Sequence, residues 1–290
     1  MAHASGYRPI DGPCVGRSPH RWATRVSRQP EGPPPPPVVQ RLRIRYAKRD
    51  RLRFTSHRDF ARAFERAIRR SGLPIGFSAG FSPHPKISYA GAAPTGVASE
   101  AEYLEIGLAE PRDPADVAAA LDAALPPGLD ILEVVDAADQ PDGSLAERIE
   151  ASYWRAVLPE VPAEELRTAL DRVLACERVP IERPTKEGTR TVDVRATLVS
   201  ATVVDGAPEA ANPQVGDMNA GCATLDVVVR HSSPAVRPDD ILMALRTIGA
   251  LSTPVTPVVT RLAQGLIDQT SPEDARRLID PLSEPSVSRG

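Results

Sequence analysis

The sequence predicts an α+β protein of two tandem ferredoxin-like units, each with the element order β-α-β-β-α-β. Segments that alternate apolar and polar residues, as strands do, stand beside segments with apolar residues at helical spacing. The same order of segments occurs before and after a polar stretch near residue 140. With 290 residues, 41% of them hydrophobic, the chain can bury cores for two ordinary domains.

Changes in composition along the chain predict five regions. These are a disordered Pro-rich extension (1–39), a basic ferredoxin-like domain (40–138), a linker (139–148), a second ferredoxin-like α+β domain (149–263) and a polar C-terminal tail (264–290). The run Pro33–Pro37 favours a stiff polyproline II spacer. The alternative is that the extension is expendable.

The first unit opens with a half-buried strand. Residues 41–46 alternate strictly, so that Arg41, Arg43 and Arg45 share one face and apolar residues share the other. The segment Arg51–Phe54 repeats the alternation, which predicts that the first strand continues into a hairpin.

A helix follows this hairpin. Ser56 is predicted as its N-cap, with Asp59 three residues later in a capping-box-like pair, and Gly72 is predicted to end it. Its buried stripe is predicted to be Phe60, Ala63, Phe64, Ala67 and Ile68.

The remaining elements complete the two units. In the first unit, a glycine-containing loop (76–86) precedes strands at 86–90, 102–108 and 129–135 and a helix at 113–125. In the second unit, strands are predicted at 153–158, 179–182, 191–204, 223–230 and 255–262, with helices at 162–175 and 238–248. Residues 206–220 are predicted as a loop, and 272–279 as a short helix.

The formal net charge of −3 conceals a strong asymmetry. Residues 41–86 hold 13 basic and three acidic residues, an excess of ten positive charges, whereas the chain after residue 86 is acidic. This polarity favours a basic face that binds a polyanion, with a solvated charged surface as the alternative. The predicted RNA-binding residues are Arg41, Arg43, Arg45, Arg51, Arg53, Arg58, Arg62 and Lys86.

The kind of nucleic-acid recognition is also constrained. A sequence-specific RNA-recognition motif is not expected, because arginines stand where its strand aromatics would lie. Nothing in the sequence indicates specificity for DNA. An interaction module, whose basic face docks an acidic protein surface, is the competing class.

A polar cluster around the first helix and the glycine-containing loop is a second candidate site. The helix N-terminus there favours anions. Glu102 shares the parity of Leu104 and is therefore predicted on the apolar face, where it requires a partner such as Arg58 or Lys86. The candidate catalytic residues are His57, Asp59, His84 and Glu102.

Two reactions are compatible with this cluster. A metal-independent ribonuclease would use His57 or His84 as general base, and Lys86 or Arg58 to stabilise the phosphate. A base-modifying enzyme would use Asp59 as nucleophile. The spacing matches no known metal site, and each residue taken singly also has a purely structural explanation.

Several classes are excluded. Cys14, Cys176 and Cys222 are scattered, which argues against a zinc ribbon or a cysteine-ligated cluster and fits a reducing cytoplasm. The N-terminus lacks the apolar region of a secretory signal, and no apolar run reaches the ~18 residues of a membrane span. A cytoplasmic protein is therefore expected.

From Arg41 to about Ala138, and again in the second half, the sequence resembles the radical-SAM-associated family of bacterial domains of unknown function. The motifs that carry the resemblance are Phe54–Asp59, Gly80–Tyr89, Gly96–Tyr103, Glu182–Arg183 and Thr189–Arg195. Members are fused to, or encoded beside, radical-SAM proteins, and many sit near ribonuclease E/G genes.

The resemblance implies an accessory protein that binds tRNA or rRNA and assists a radical-SAM enzyme in RNA modification or processing. This chain lacks the CxxxCxxC motif. An iron–sulfur cluster and S-adenosylmethionine would therefore come only from a partner, and no cofactor of its own is expected.

Overall fold

One mixed sheet runs through the chain that the computed structural model describes, which comprises residues 35–140, 143–185, 188–204, 222–269 and 278–283. Its first half consists of β1 (Gln40–Lys48), α1 (His57–Ser71), β2 (Ile87–Ala90), β3 (Ala98–Leu108), α2 (Pro114–Ala124) and β4 (Leu129–Asp136). Its second half consists of β5 (Ala151–Leu158), α3 (Ala163–Ala175), β6 (Pro180–Thr185), β7 (Gly188–Asp193), α4 (Val194–Thr197), β8 (Leu198–Val204), β9 (Ala223–Arg230), α5 (Pro238–Thr247), β10 (Val258–Ile267) and β11 (Leu278–Ile279).

The strands of the main sheet lie in the order β4-β1-β3-β10-β5-β9-β8, with β2 added to β3 and β11 to β10. The strand order is therefore β4-β1-β3-β2 in the first half and β10-β5-β9-β8 in the second. The strands β6 and β7 form a separate hairpin. A mixed α+β fold is confirmed. No described helix is both long and apolar enough to cross a bilayer.

The first half buries its apolar strand face under α1 and α2. Leu42 and Ile44 of β1, with Leu104 of β3, are fully buried against Phe60 and Phe64 of α1. Because side chains alternate along a strand, the odd-numbered arginines of β1 face the opposite side of the sheet. The predicted alternation of residues 41–46 is confirmed.

The two halves meet where β10 lies beside β3. Only two residue pairs, Thr260 with Ala98 and Arg261 with Ser99, form this parallel contact. On its other edge β10 pairs antiparallel with β5 over most of its length. The junction is therefore a short seam inside a continuous sheet.

The local signals around α1 and α2 are confirmed. The Ser56 hydroxyl accepts a hydrogen bond from the Asp59 amide at 3.2 Å, and Asp113 caps α2 in the same way. Gly72 ends α1 in the left-handed conformation with a φ of 66°, a region that costs a side-chain-bearing residue free energy.

Two element predictions are wrong. The segment Asp50–Phe54 is a short 3₁₀ helix instead of a strand, because β3 and β4 already occupy both edges of β1. The predicted strand over 191–204 is interrupted by α4, a single helical turn. The predicted loop (206–220), most of the predicted helix at 272–279 and most of the Pro-rich extension lie outside the described residues.

Two segments assigned by composition to a linker and a tail contact the sheet. Leu145 of the predicted linker and Ile149 just after it are buried, with Leu282 of the C-terminal segment, against Tyr103 on the arginine face of β3. Strand β10 also continues to Ile267, beyond the expected boundary at 263. The sheet face that a ferredoxin-like unit usually leaves open is therefore partly covered here.

Candidate nucleic-acid interface

The three arginines of β1 lie on the predicted face, but acidic residues from later in the chain engage them. Arg41 Nη1 lies 2.9 Å and Arg43 Nε 3.4 Å from the Glu105 carboxylate, which stands directly across from Arg43 in the β1–β3 register. Arg45 Nη1 lies 3.0 Å from Asp280 Oδ2. The Arg43 side chain is only 5% exposed, whereas that of Arg41 is 59% exposed.

Arg49 is engaged in the same way. Its guanidinium donates two hydrogen bonds to Glu100 and one, of 2.7 Å, to Asp130. The hydrogen bond to Glu100 is the largest cause that raises the pKa of Arg49 above its usual value. Part of the positive excess counted in residues 41–86 is therefore balanced locally by acids from the rest of the chain.

The exposed positive charge instead concentrates on α1. Arg58, Arg62, Arg66 and Arg69 follow one another at spacings of four, four and three residues, and all four are exposed. Such spacing places them along one stripe of the helix. We call these four residues the α1 arginine surface.

The ion pairs on the α1 arginine surface are weak. Arg62 lies 3.8 Å from Asp59, and Arg69 lies 3.8 Å from Glu65, all on partly or fully exposed side chains. Exposed pairs of this kind contribute little free energy. Arg58 and Arg66 form no ion pair with any described residue. The N–H groups of these two guanidiniums can therefore donate to a ligand.

An exposed aromatic ring stands just before this helix. Phe54 is 60% exposed, and the Arg53 guanidinium carbon lies 4.7 Å from the centroid of its ring. The neighbouring Arg51 is also exposed. Arginine combined with an accessible aromatic ring is the combination on which nucleic-acid bases stack. A second exposed ring, that of Phe81 at 75%, lies in the glycine-containing loop.

The candidate catalytic residues are only partly brought together. His57 and Glu102 both line a cleft of about 10 Å³, which is large enough for roughly one water molecule. The His57 ring packs edge-on against Tyr89 with a centroid distance of 5.0 Å. Asp59 accepts a hydrogen bond of 2.7 Å from the Ser56 hydroxyl. A cleft of this size cannot admit a nucleotide.

The other two loop residues lie apart from that cleft. His84 and Lys86 are exposed, and neither is among the residues that line the cleft. The His84 amide donates to the Ser78 hydroxyl at 3.0 Å, an interaction that orders the loop. No group of three or more His, Cys, Asp or Glu side chains among the described residues could hold a metal ion.

The prediction that Glu102 is buried is confirmed, but the prediction of its ion-pair partner is wrong. Glu102 is 2% exposed and accepts a hydrogen bond from Arg261, with neither Arg58 nor Lys86 as its ion-pair partner. The reason is that β10 lies beside β3 and brings Arg261 to the same apolar face. Sequence reasoning missed Arg261, although an arginine inside a predicted strand was a signal that it needed a buried acid.

Comparison with known proteins places the chain in a family. No curated protein matches the sequence. Residues 41–238 match the family model described as "Uncharacterized protein conserved in bacteria (DUF2344)". That match covers more than half of the chain, so the protein belongs to the DUF2344 family of bacterial proteins.

Proposed function

We propose that this protein binds RNA through the α1 arginine surface and assists a radical-SAM enzyme in RNA modification or processing. The observation that carries the proposal is the row of four exposed arginines, two of them without an ion pair to any described residue. Each such guanidinium can donate two parallel N–H hydrogen bonds to two oxygens of one phosphate group.

The dimensions of the surface suit a nucleic-acid backbone. With a rise of ~1.5 Å per residue, the eleven steps from Arg58 to Arg69 span roughly 16 Å. A row of that length reaches several successive phosphates. The exposed ring of Phe54, two residues before the cap of α1, adds a surface on which a base can stack.

The remaining parts of the proposal rest on resemblance and on strand order. The radical-SAM partner, which would supply the cluster and S-adenosylmethionine, is supported by the motifs shared with that family. A cytoplasmic location is supported by the cysteine pattern. The description of each half as a ferredoxin-like unit is supported by the related orders β4-β1-β3-β2 and β10-β5-β9-β8.

The test is a salt titration of RNA binding with matched charge reversals. Fluorescently labelled tRNA and a single-stranded RNA are titrated with the full chain at several KCl concentrations. Arg66→Glu on α1 is compared with Arg246→Glu, a reversal of an exposed arginine on α5. Loss of one contact reduces the slope of log K against log salt by about 0.7 for a single strand.

The expected result is that Arg66→Glu weakens binding, that Arg58→Glu with Arg66→Glu weakens it further, and that Arg246→Glu binds as the wild type does. Equal loss in all variants would mean a nonspecific effect of net charge and would contradict the proposal. Failure to bind either RNA at low salt, together with salt-sensitive binding to a radical-SAM protein, would replace it with the interaction-module alternative.

A further inference from the structure

A cavity of about 690 Å³ lies on the arginine face of the first half, away from α1. Its walls come from β1, β2 and β3 on one side and from residues 136–140 and 143–146 on the other. Pockets that hold small molecules are typically roughly 300–1,000 Å³ in volume. The space is therefore large enough for a whole small metabolite.

Two arginines that share a single carboxylate form part of this wall. Arg41 and Arg43 both approach Glu105, and all three residues line the cavity. Two positive charges face one negative charge beside Glu105, although the lining as a whole, which includes Asp136, is formally neutral. The other acid of the lining, Asp136, already accepts hydrogen bonds from the Gln40 side chain at 2.7 Å and the Ala138 amide at 2.9 Å.

The hydrogen bonds of the Arg43 guanidinium leave one of its donors without a partner. Its Nη2 donates to the Gly143 carbonyl oxygen at 2.5 Å, and its Nε faces Glu105, so the guanidinium lies between two residues of the cavity wall. Its Nη1 is buried and has no hydrogen-bond partner among the described residues. A buried cationic donor without an acceptor is unfavourable, and it would gain an acceptor if the guanidinium turned towards an oxyanion in the adjoining cavity.

We infer that this cavity is a binding site for a small organic anion whose carboxylate or phosphate group is held by Arg41 and Arg43. Ser88 on β2, together with apolar Val38 and Leu145, provides part of the lining for the body of the ligand. The site lies on the opposite sheet face from α1, so it is independent of the RNA-binding proposal.

The test measures thermal unfolding and calorimetric binding of the full chain with inorganic phosphate and, separately, citrate. Ionic strength is held constant with KCl, and saturable calorimetric binding decides the outcome, because phosphate and citrate also raise unfolding temperatures without binding. The two anions distinguish a phosphate from a carboxylate ligand. The first variant is Arg41→Ala, at a position where the wild-type side chain is 59% exposed. The second is Arg43→Lys, which keeps the positive charge but replaces the planar guanidinium, with its parallel N–H donors, by an ammonium group. Arg246→Ala is the matched control.

The expected result is saturable binding of at least one anion by the wild type and by Arg246→Ala, weakened at least tenfold in Arg41→Ala and in Arg43→Lys. Because Arg41 is largely exposed, Arg41→Ala tests the site even where the Arg43 variant fails to fold. Binding of equal strength in Arg41→Ala and the wild type would overturn the inference. Absence of any stabilisation beyond that of KCl would overturn it as well.

Discussion

Arg261 of β10 donates a buried hydrogen bond to Glu102 of β3, and this ion pair joins the two halves of the sheet. Both side chains are at most 3% exposed. The Arg261 Nε also donates to Ser99 Oγ at 3.1 Å, and the Ala93 amide donates to the second Glu102 oxygen at 3.1 Å. Because only two backbone residue pairs connect β3 to β10, this polar group contributes much of what holds the seam in register.

Removal of one member of the pair is expected to destabilise the protein strongly. Glu102→Gln leaves the Arg261 charge buried without a counter-ion, and loss of one partner from a buried pair costs about 3–5 kcal/mol. The free energy of unfolding, measured by urea titration with circular dichroism, should fall by that amount. The control is Glu102→Leu combined with Arg261→Met, which removes both charges and should cost far less. A loss below about 1 kcal/mol in Glu102→Gln would contradict a structural role for the pair.

A second polar pair beside the seam, which joins the buried Ser152 to the exposed His231, should make stability depend on pH. Ser152 Oγ lies 2.7 Å from His231 Nε2. Partial burial of its ring lowers the pKa of His231 and the charge of Arg261 lowers it further, while a hydrogen bond to the Ile149 backbone raises it. The unfolded chain, with an ordinary histidine pKa of about 6.5, then binds more protons than the folded chain near that pH.

The contribution of His231 is therefore present above about pH 6.5 and is lost as the pH falls through that value towards the lower folded pKa. Unfolding free energies of the wild type and of His231→Gln are to be compared between pH 7.5 and 5. The wild type should lose more stability over this interval than the variant, which cannot titrate at this position. Parallel curves for the two proteins would show that His231 does not titrate differently on folding.

The sequence predicted the features that depend on neighbouring residues. The Ser56 cap and the Gly72 terminus follow from hydrogen bonds and backbone angles within a few residues, so local patterns suffice for them. The prediction of a strand at Arg51–Phe54 is wrong because both edges of β1 pair with strands that lie far along the chain. No local pattern carries that information.

The candidate site shows the same limit. Counting charges located the basic region correctly but could not show which arginines remain exposed, because their partners are distant. The paired residues Arg43 and Glu105 are 62 residues apart in the sequence, and Arg261 and Glu102 are 159 residues apart. The parity of Glu102 predicted its burial, yet its partner depended on the order of strands across the seam. The α1 arginine surface could be identified only after the strand arginines were assigned to internal pairs.

The C-terminal segment should detach from the sheet when Gly265 is replaced by alanine. A Cβ at Gly265 would collide with the carbonyl oxygen of Ile279 in β11. Next to it, Asp280 binds Arg45 and accepts from the Tyr103 hydroxyl at 2.9 Å. Hydrogen exchange of the amides in 278–283 should become faster in Gly265→Ala. In Gly72→Ala, which strains the left-handed end of α1 but adds no atom near β11, it should stay as in the wild type. Unchanged protection in Gly265→Ala would contradict the packing of β11 on β10.

Ser56 and Asp59 are expected to stabilise the start of α1 without taking part in a reaction. The Ser56 hydroxyl accepts from the Asp59 amide at 3.2 Å and donates to the Asp59 carboxylate at 2.7 Å. Ser56→Ala removes this cap and should lower the free energy of unfolding by about 1 kcal/mol, whereas Ser56→Thr keeps a hydroxyl that can both accept and donate at the N-cap and should remain close to the wild type.

RNA binding separates this structural role from a functional one. Both Ser56 variants leave Arg58 and Arg66 in place, so their affinity for RNA at a temperature well below unfolding should match that of the wild type. Unfolding by urea and RNA titration on the same protein samples provide the two measurements. Loss of RNA affinity in Ser56→Ala that Ser56→Thr does not share would instead assign the Ser56 hydroxyl to the interface.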